Sequence, residues 1–163
     1  MDEDVYRTPK SDLTNQIEKK GSAVKAVFIA TVVDVTATIF VGIVMSIVYG
    51  MILASNGDSI EVITSKLSTM QLTSKFSLVA LVSGCLITTF AGYLCAKLVN
   101  HSEYKIVAVF AIIVIVFGLA MGLSYYSVGE NILLSLLTLC CVYLGAWLYV
   151  SRKQRLLQHL NDS

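Results

Sequence analysis

Apolar residues fall along this chain in four long blocks, each about as long as a helix needs to cross roughly 30 Å of hydrocarbon. The blocks cover about 23–54, 76–98, 106–125 and 132–150. They predict an all-α membrane protein, a bundle of four transmembrane helices. The first block is about 30 residues, roughly 45 Å as a helix, so it must tilt or project into water. Between the first two blocks, Ser55-Asn56-Gly57-Asp58 is turn chemistry. Beyond that turn, Ile60, Ile63, Leu67 and Met70 recur at three- and four-residue steps, with Glu61, Ser65 and Lys66 between them. This spacing fits a short amphipathic helix at the membrane surface, or equally an extension of a neighbouring span. Short turns at Asn100-His101-Ser102 and Ser127-Val128-Gly129-Glu130 make the last three spans antiparallel neighbours.

The ends are polar. Residues 1–21 form an aqueous tail in which Pro9 breaks any early helix, and Leu13 and Ile17 suggest one or two interfacial turns. The transmembrane domain is read as 22–151. The tail 152–163 opens with Arg152, Lys153 and Arg155, and Leu156, Leu157 and Leu160 predict that the last helix continues along the surface. The start carries Asp2, Glu3 and Asp4 rather than a basic stretch running into an apolar one. The first span is therefore expected to be a retained anchor, not a cleaved signal. Asp2 in place of Gly also excludes N-myristoylation.

Composition sharpens the class. Of the 163 residues 56% are hydrophobic and 14% charged, against about a quarter charged in soluble domains. The mean hydropathy is +0.75. A single Pro and 10 Gly argue against a disordered or loop-rich chain. A net charge of +1 gives no field for a nucleic-acid partner. Cys85, Cys95, Cys140 and Cys141 all lie within apolar blocks, so they read as packing residues rather than a disulfide framework.

Lys and Arg placement sets the expected orientation. Arg7, Lys10, Lys19, Lys20, Lys25, Lys97, Lys105, Arg152, Lys153 and Arg155 fall on one side, leaving Lys66 and Lys75 on the other. That bias places both termini in the cytoplasm. Tyr93, Tyr143, Trp147 and Tyr149 then mark the inner interface, with Tyr49, Tyr125 and Tyr126 at the outer one. The glycosylation pattern Asn100-His101-Ser102 falls in a cytoplasmic turn and carries no weight. Gly42 to Tyr49 in the first span resembles Gly118 to Tyr125 in the third, which raises the question of a duplicated helical hairpin.

One residue bears on chemistry before any other. Asp34 is the only formally charged side chain well inside a span. A carboxylate there costs about 2.5–3.5 kcal/mol on insertion scales, so it should face the bundle interior or a water-filled path. Thr31 and Thr38 share its helical face, continued by Gly42, Met45 and Tyr49. One reading is a protonatable or cation-coordinating site lined by hydroxyls. The other, favoured here, is a buried clamp in which Asp34 meets a hydroxyl such as Ser83, Thr88 or Thr138 on another helix. Transport sites draw polar ligands from several spans and often use broken helices, whereas the other spans offer Ser, Thr and Cys and contain no Pro.

Small-residue stripes are the second signal. Gly84, Thr88, Gly92 and Ala96 recur every four residues, and Gly118 and Gly122 form a GxxxG; both patterns allow close helix contact. Intramolecular packing is the simpler use, and self-association or a partner face the other. Catalytic constellations are missing. His101 and His159 lie in aqueous segments, adjacent Cys140 and Cys141 diverge by about 100° on a helix, and no phosphate-binding loop or nucleophile elbow occurs. No metal or other cofactor is expected, and the chain reads as a non-enzyme.

Two segments resemble small, uncharacterised bacterial inner-membrane proteins. The tail Tyr6-Arg7-Thr8-Pro9-Lys10-Ser11 is similar to their Tyr-x-x-Pro-x-Ser start, and Gly92-Tyr93-Leu94-Cys95-Ala96 is similar to their Gly-Tyr-x-x-Ala segment, although Ala91 stands where a second Gly is common. The resemblance implies a multi-pass protein of the bacterial inner membrane and brings no known activity. Three roles stay open. The favoured one is a subunit or accessory protein that packs against itself or a membrane partner. The second is a small oligomeric transporter or channel using Asp34. The third is an immunity-type protein against a pore-forming toxin.

Overall fold

A computed structural model describes residues 22–68, 75–99, 102–123 and 126–161. Among them the chain is all helix. The elements are α1 (Ala23–Ser55), α2 (Ile60–Ser68), α3 (Lys75–Val99), α4 (Glu103–Gly122) and α5 (Val128–Asn161). The amino tail, with the Tyr6–Ser11 motif, lies outside the described residues, as do Met70, Asn100, His101 and Tyr125.

Four of the helices, α1, α3, α4 and α5, are long and apolar enough to cross a membrane. That is the length and composition of a multi-pass integral membrane protein. Their sides remain apolar outward. Phe28, Phe40, Val82, Leu86, Val116 and Leu136 are all more than half exposed, as expected of side chains that face lipid rather than a core.

Local chemistry sets where the helices stop. At the end of α1, Gly57 adopts φ 87°, the left-handed region open to glycine. Its N–H donates to the Ala54 carbonyl at 3.0 Å, and the Asp58 N–H donates to Leu53 at 3.2 Å. That pair of reversed bonds is a Schellman stop. It separates α1 from α2, so 60–68 is a helix of its own rather than a continuation of the first span. An ion pair from Lys66 to Asp58, 2.6 Å, ties α2 back to the turn.

Before α5, Ser127 and Glu130 form a reciprocal capping box. The Ser127 N–H donates to Glu130 Oε2 at 2.8 Å, and the Glu130 N–H donates to Ser127 Oγ at 3.4 Å. From there α5 runs without a break to Asn161, well past the end of the apolar block at Val150. Lys153 on this extension pairs with Glu103 at the start of α4, 2.9 Å away.

Packing is uneven along the bundle. α3 and α4 each pack against α1, α5 and one another, so α1 and α5 stand diagonally opposite. The close-packed core gathers at one end, where Ala30 (α1), Ala91, Cys95 and Ala96 (α3), Val107, Phe110 and Ala111 (α4), and Val142 and Ala146 (α5) are fully buried. The start of α1, the end of α3, the start of α4 and the later half of α5 therefore share this closed end. Two aromatic pairs brace it: Tyr93 edge-on to Tyr149 at 5.7 Å, and Tyr104 stacked with Tyr143 at 6.5 Å. At the far end Tyr49 stacks on Phe76 at 4.4 Å.

The closest helix approach lies in that core. A Cβ on Gly145 would run into the Thr89 carbonyl oxygen and the Tyr93 backbone nitrogen, and one on Gly92 would stand 2.5 Å from the Val142 carbonyl oxygen. Backbone meets backbone here, and only glycine on both sides permits it.

Candidate functional site

Away from the closed end the helices diverge around a cavity of about 790 Å³. The divergence follows from the side chains on α3. Ser77, Ala80, Gly84, Cys85 and Thr88 line the cavity and are too small to fill it. Facing them, α4 supplies Val114, Phe117, Gly118 and Met121, and α5 supplies Leu134, Leu137, Thr138 and Cys141. From α1 come Asp34, Val35, Thr38 and Ile39, while Leu67 of α2, Tyr126 and Glu130 stand toward the open end. α1 and α5 face each other across the cavity, with α3 and α4 between them on either side.

Asp34 stands where the packed core gives way to the cavity. It is one turn beyond fully buried Ala30, is itself only 5% exposed, and lines the cavity. Thr88 Oγ1 donates to Asp34 Oδ1 at 3.0 Å, linking α1 to α3. This is the interhelical clamp expected of an intramembrane carboxylate, with Thr88 as the partner. The other two candidate hydroxyls, Ser83 and Thr138, donate to carbonyls of their own helices, Val79 at 2.9 Å and Leu134 at 2.9 Å. Asp34 thus joins two helices and also borders the cavity.

The other sequence-derived positions divide in the same way. Thr38 lines the cavity with Asp34. Thr31 does not join them: its Oγ1 donates to the Val27 carbonyl at 2.8 Å, and it faces a separate apolar groove between α1 and α4. On the α3 stripe, Gly84 and Thr88 border the cavity, while Gly92 and Ala96 are buried in the packed end. A Cβ on Gly84 or on Gly118 would meet nothing within 4 Å. Gly122 does sit at a contact, since a Cβ there would be 2.6 Å from Asn131 Oδ1.

Three features of the structure carry little signal in the sequence. Gly145 is the tightest point of the α3–α5 crossing, flagged only by two adjacent small residues, Gly145-Ala146, in an apolar run. Asn131 is 5% exposed, and its Nδ2 donates to the carbonyls of Tyr126 at 3.0 Å and Ser127 at 3.1 Å, closing the α4–α5 elbow. Cys85 of α3 and Cys141 of α5 line the same cavity, from helices that pack against each other. Nothing in their spacing of more than fifty residues could have paired them.

Among the described residues no three His, Cys, Asp or Glu side chains gather as a metal site. None of the side chains lining the cavity is basic. The arrangement can hold a ligand against Asp34 at the floor, Glu130 toward the open end and several hydroxyls, within walls that are otherwise mostly apolar. Compared with protein-family models, with curated proteins and with solved structures, the chain finds no match.

Proposed function

We propose that this chain is a non-enzymatic membrane protein that binds a small ligand in the cavity over Asp34, as a carrier or receptor within the bilayer. The observation that carries this reading is the floor of the cavity. A nearly buried carboxylate sits inside an apolar bundle, held by Thr88 Oγ1 at 3.0 Å, and faces open volume rather than packed side chains. An intramembrane charge is costly, and one that borders a cavity marks a ligand or ion path more often than a purely structural bond. Gly84 and Gly118 support the reading, since they keep space open instead of bringing helices together. Positive-inside bias directs the closed end, with Lys97, Lys105 and Arg152, to the cytoplasm, and the cavity then opens to the opposite side.

The test compares wild type with Asp34→Asn, which retains an acceptor for Thr88. Both proteins are purified in mild detergent and their thermal unfolding followed across a panel of inorganic and organic cations. Expected is at least one cation that stabilises wild type and leaves Asp34→Asn unmoved, with the two proteins melting alike without additive. Identical responses across the whole panel refute the reading.

A second reading keeps the accessory-subunit role. The open space at Gly84 and Gly118 gives side chains of a partner or a second copy room to enter the bundle. A stoichiometric protein that co-purifies and is lost in Gly84→Leu favours this reading over the first.

A further inference from the structure

The chemistry of the cavity narrows the class of ligand, an inference that rests on the binding role proposed for Asp34. We infer that the site takes a lipophilic organic monocation: a bulky apolar body carrying a single positive charge. Three observations converge on that class.

The volume, about 790 Å³, lies in the range of pockets for drug-sized molecules, roughly 300–1,000 Å³, and far exceeds what a bare metal ion fills. The walls are mostly apolar, with Val35, Ile39, Leu81, Phe117, Met121 and Leu137 among them. An inorganic cation needs six or so oxygen ligands to replace its hydration shell. Here Asp34 at the floor is joined only by scattered hydroxyls, and the second carboxylate, Glu130, stands toward the open end and accepts from Ser127. A diffuse cation with little hydration asks for far less, and aromatic Phe117 on the same wall adds a π face for it.

Charge points the same way. Two carboxylates line the cavity, Asp34 at the floor and Glu130 toward the open end, with no Lys, Arg or His among the lining residues to favour an anion.

Tetraphenylphosphonium and tetraphenylborate make the decisive pair of probes, because they match in shape and differ in the sign of charge. Binding of each to the full-length protein in lipid nanodiscs is measured by equilibrium dialysis. Parallel measurements use sodium, potassium and magnesium ions. Wild type is expected to bind tetraphenylphosphonium saturably and one to one, and tetraphenylborate no better than empty nanodiscs do. Asp34→Asn should weaken phosphonium binding roughly tenfold or more, the scale of one lost charge contact. A second variant avoids the carboxylate altogether. Gly84→Leu fills the cavity from a position with open space around it, so the fold is retained while phosphonium binding falls.

Equal binding of both probes, or phosphonium binding unchanged in both variants, overturns the inference. Asp34-dependent binding of an inorganic cation without phosphonium binding overturns it too, while leaving the broader binding role standing. Absence of any Asp34-dependent cation binding removes both.

Discussion

Glycines separate into two kinds when the space around each is considered. Gly92 and Gly145 lie where α3 and α5 cross backbone to backbone, and an added methyl there meets carbonyl oxygen or amide nitrogen that cannot swing aside. Gly84 and Gly118 belong to equally regular small-residue patterns but border open volume. Gly145→Ala is therefore expected to force the helices apart at a cost of about 1–3 kcal/mol, the range for overpacked sites. Gly84→Ala and Gly118→Ala should keep or slightly raise stability, because alanine is the better helix former by about 0.5–1 kcal/mol. Thermal unfolding of the three variants in one detergent checks the ordering. A Gly145→Ala protein as stable as wild type contradicts the close crossing. The pair of patterns also shows what a stripe of small residues does not encode: Gly84 and Gly92 are two turns apart on one helix face, yet only the second meets a partner. Which half of a face is covered depends on how neighbouring helices diverge, and no residue of α3 alone carries that information.

At the level of elements, the reach of the sequence tracks the range of the forces involved. The ends of α1, α3 and α4 fall within a few residues of the hydropathy blocks, because the transfer of apolar side chains sets them locally. The stop after α1 is equally local, a glycine that can take φ 87° following Asn56. For 60–68 the three- and four-residue spacing fits a separate helix and an extended span alike; the backbone bonds at Gly57 and Asp58 decide it. Asp34 stands out in the sequence as a lone charge, while its partner is one of several available hydroxyls and its cavity has no sequence signature at all. The pairing of helices is open to direct test through Cys85 and Cys141, which line one cavity from the adjacent helices α3 and α5. Copper phenanthroline, which takes up the two electrons as the thiols lose their protons, should join them into a disulfide within one chain. Mass spectrometry of the digested protein is expected to find the 85–141 cross-link in wild type, with Cys95 and Cys140 left free to alkylate. Predominant cross-links through Cys95 or Cys140 contradict this helix arrangement.

For the whole molecule the decisive property is polarity along the bundle axis. One end is packed solid around Phe110 and Val142, braced by Tyr93–Tyr149 and the Lys153–Glu103 pair, and followed by Arg152 and Arg155. The other holds the cavity, with Glu130 and Tyr126 at its rim. Cationic residues flanking spans favour the cytoplasmic side during insertion, and the orientation we propose on that ground turns the closed end inward and the cavity outward. The orientation can be read by labelling single cysteines placed in a variant whose four native cysteines are replaced by serine or alanine. Asn56→Cys lies in the turn after α1 at the cavity end, and Ser102→Cys lies in the turn before α4 at the closed end. In intact cells a membrane-impermeant maleimide should modify the first and reach the second only once the membrane is opened. The reverse pattern would turn the cavity toward the cytoplasm, so that Asp34 takes its ligand from inside the cell, and any role built on capture from the outer face would fall with it.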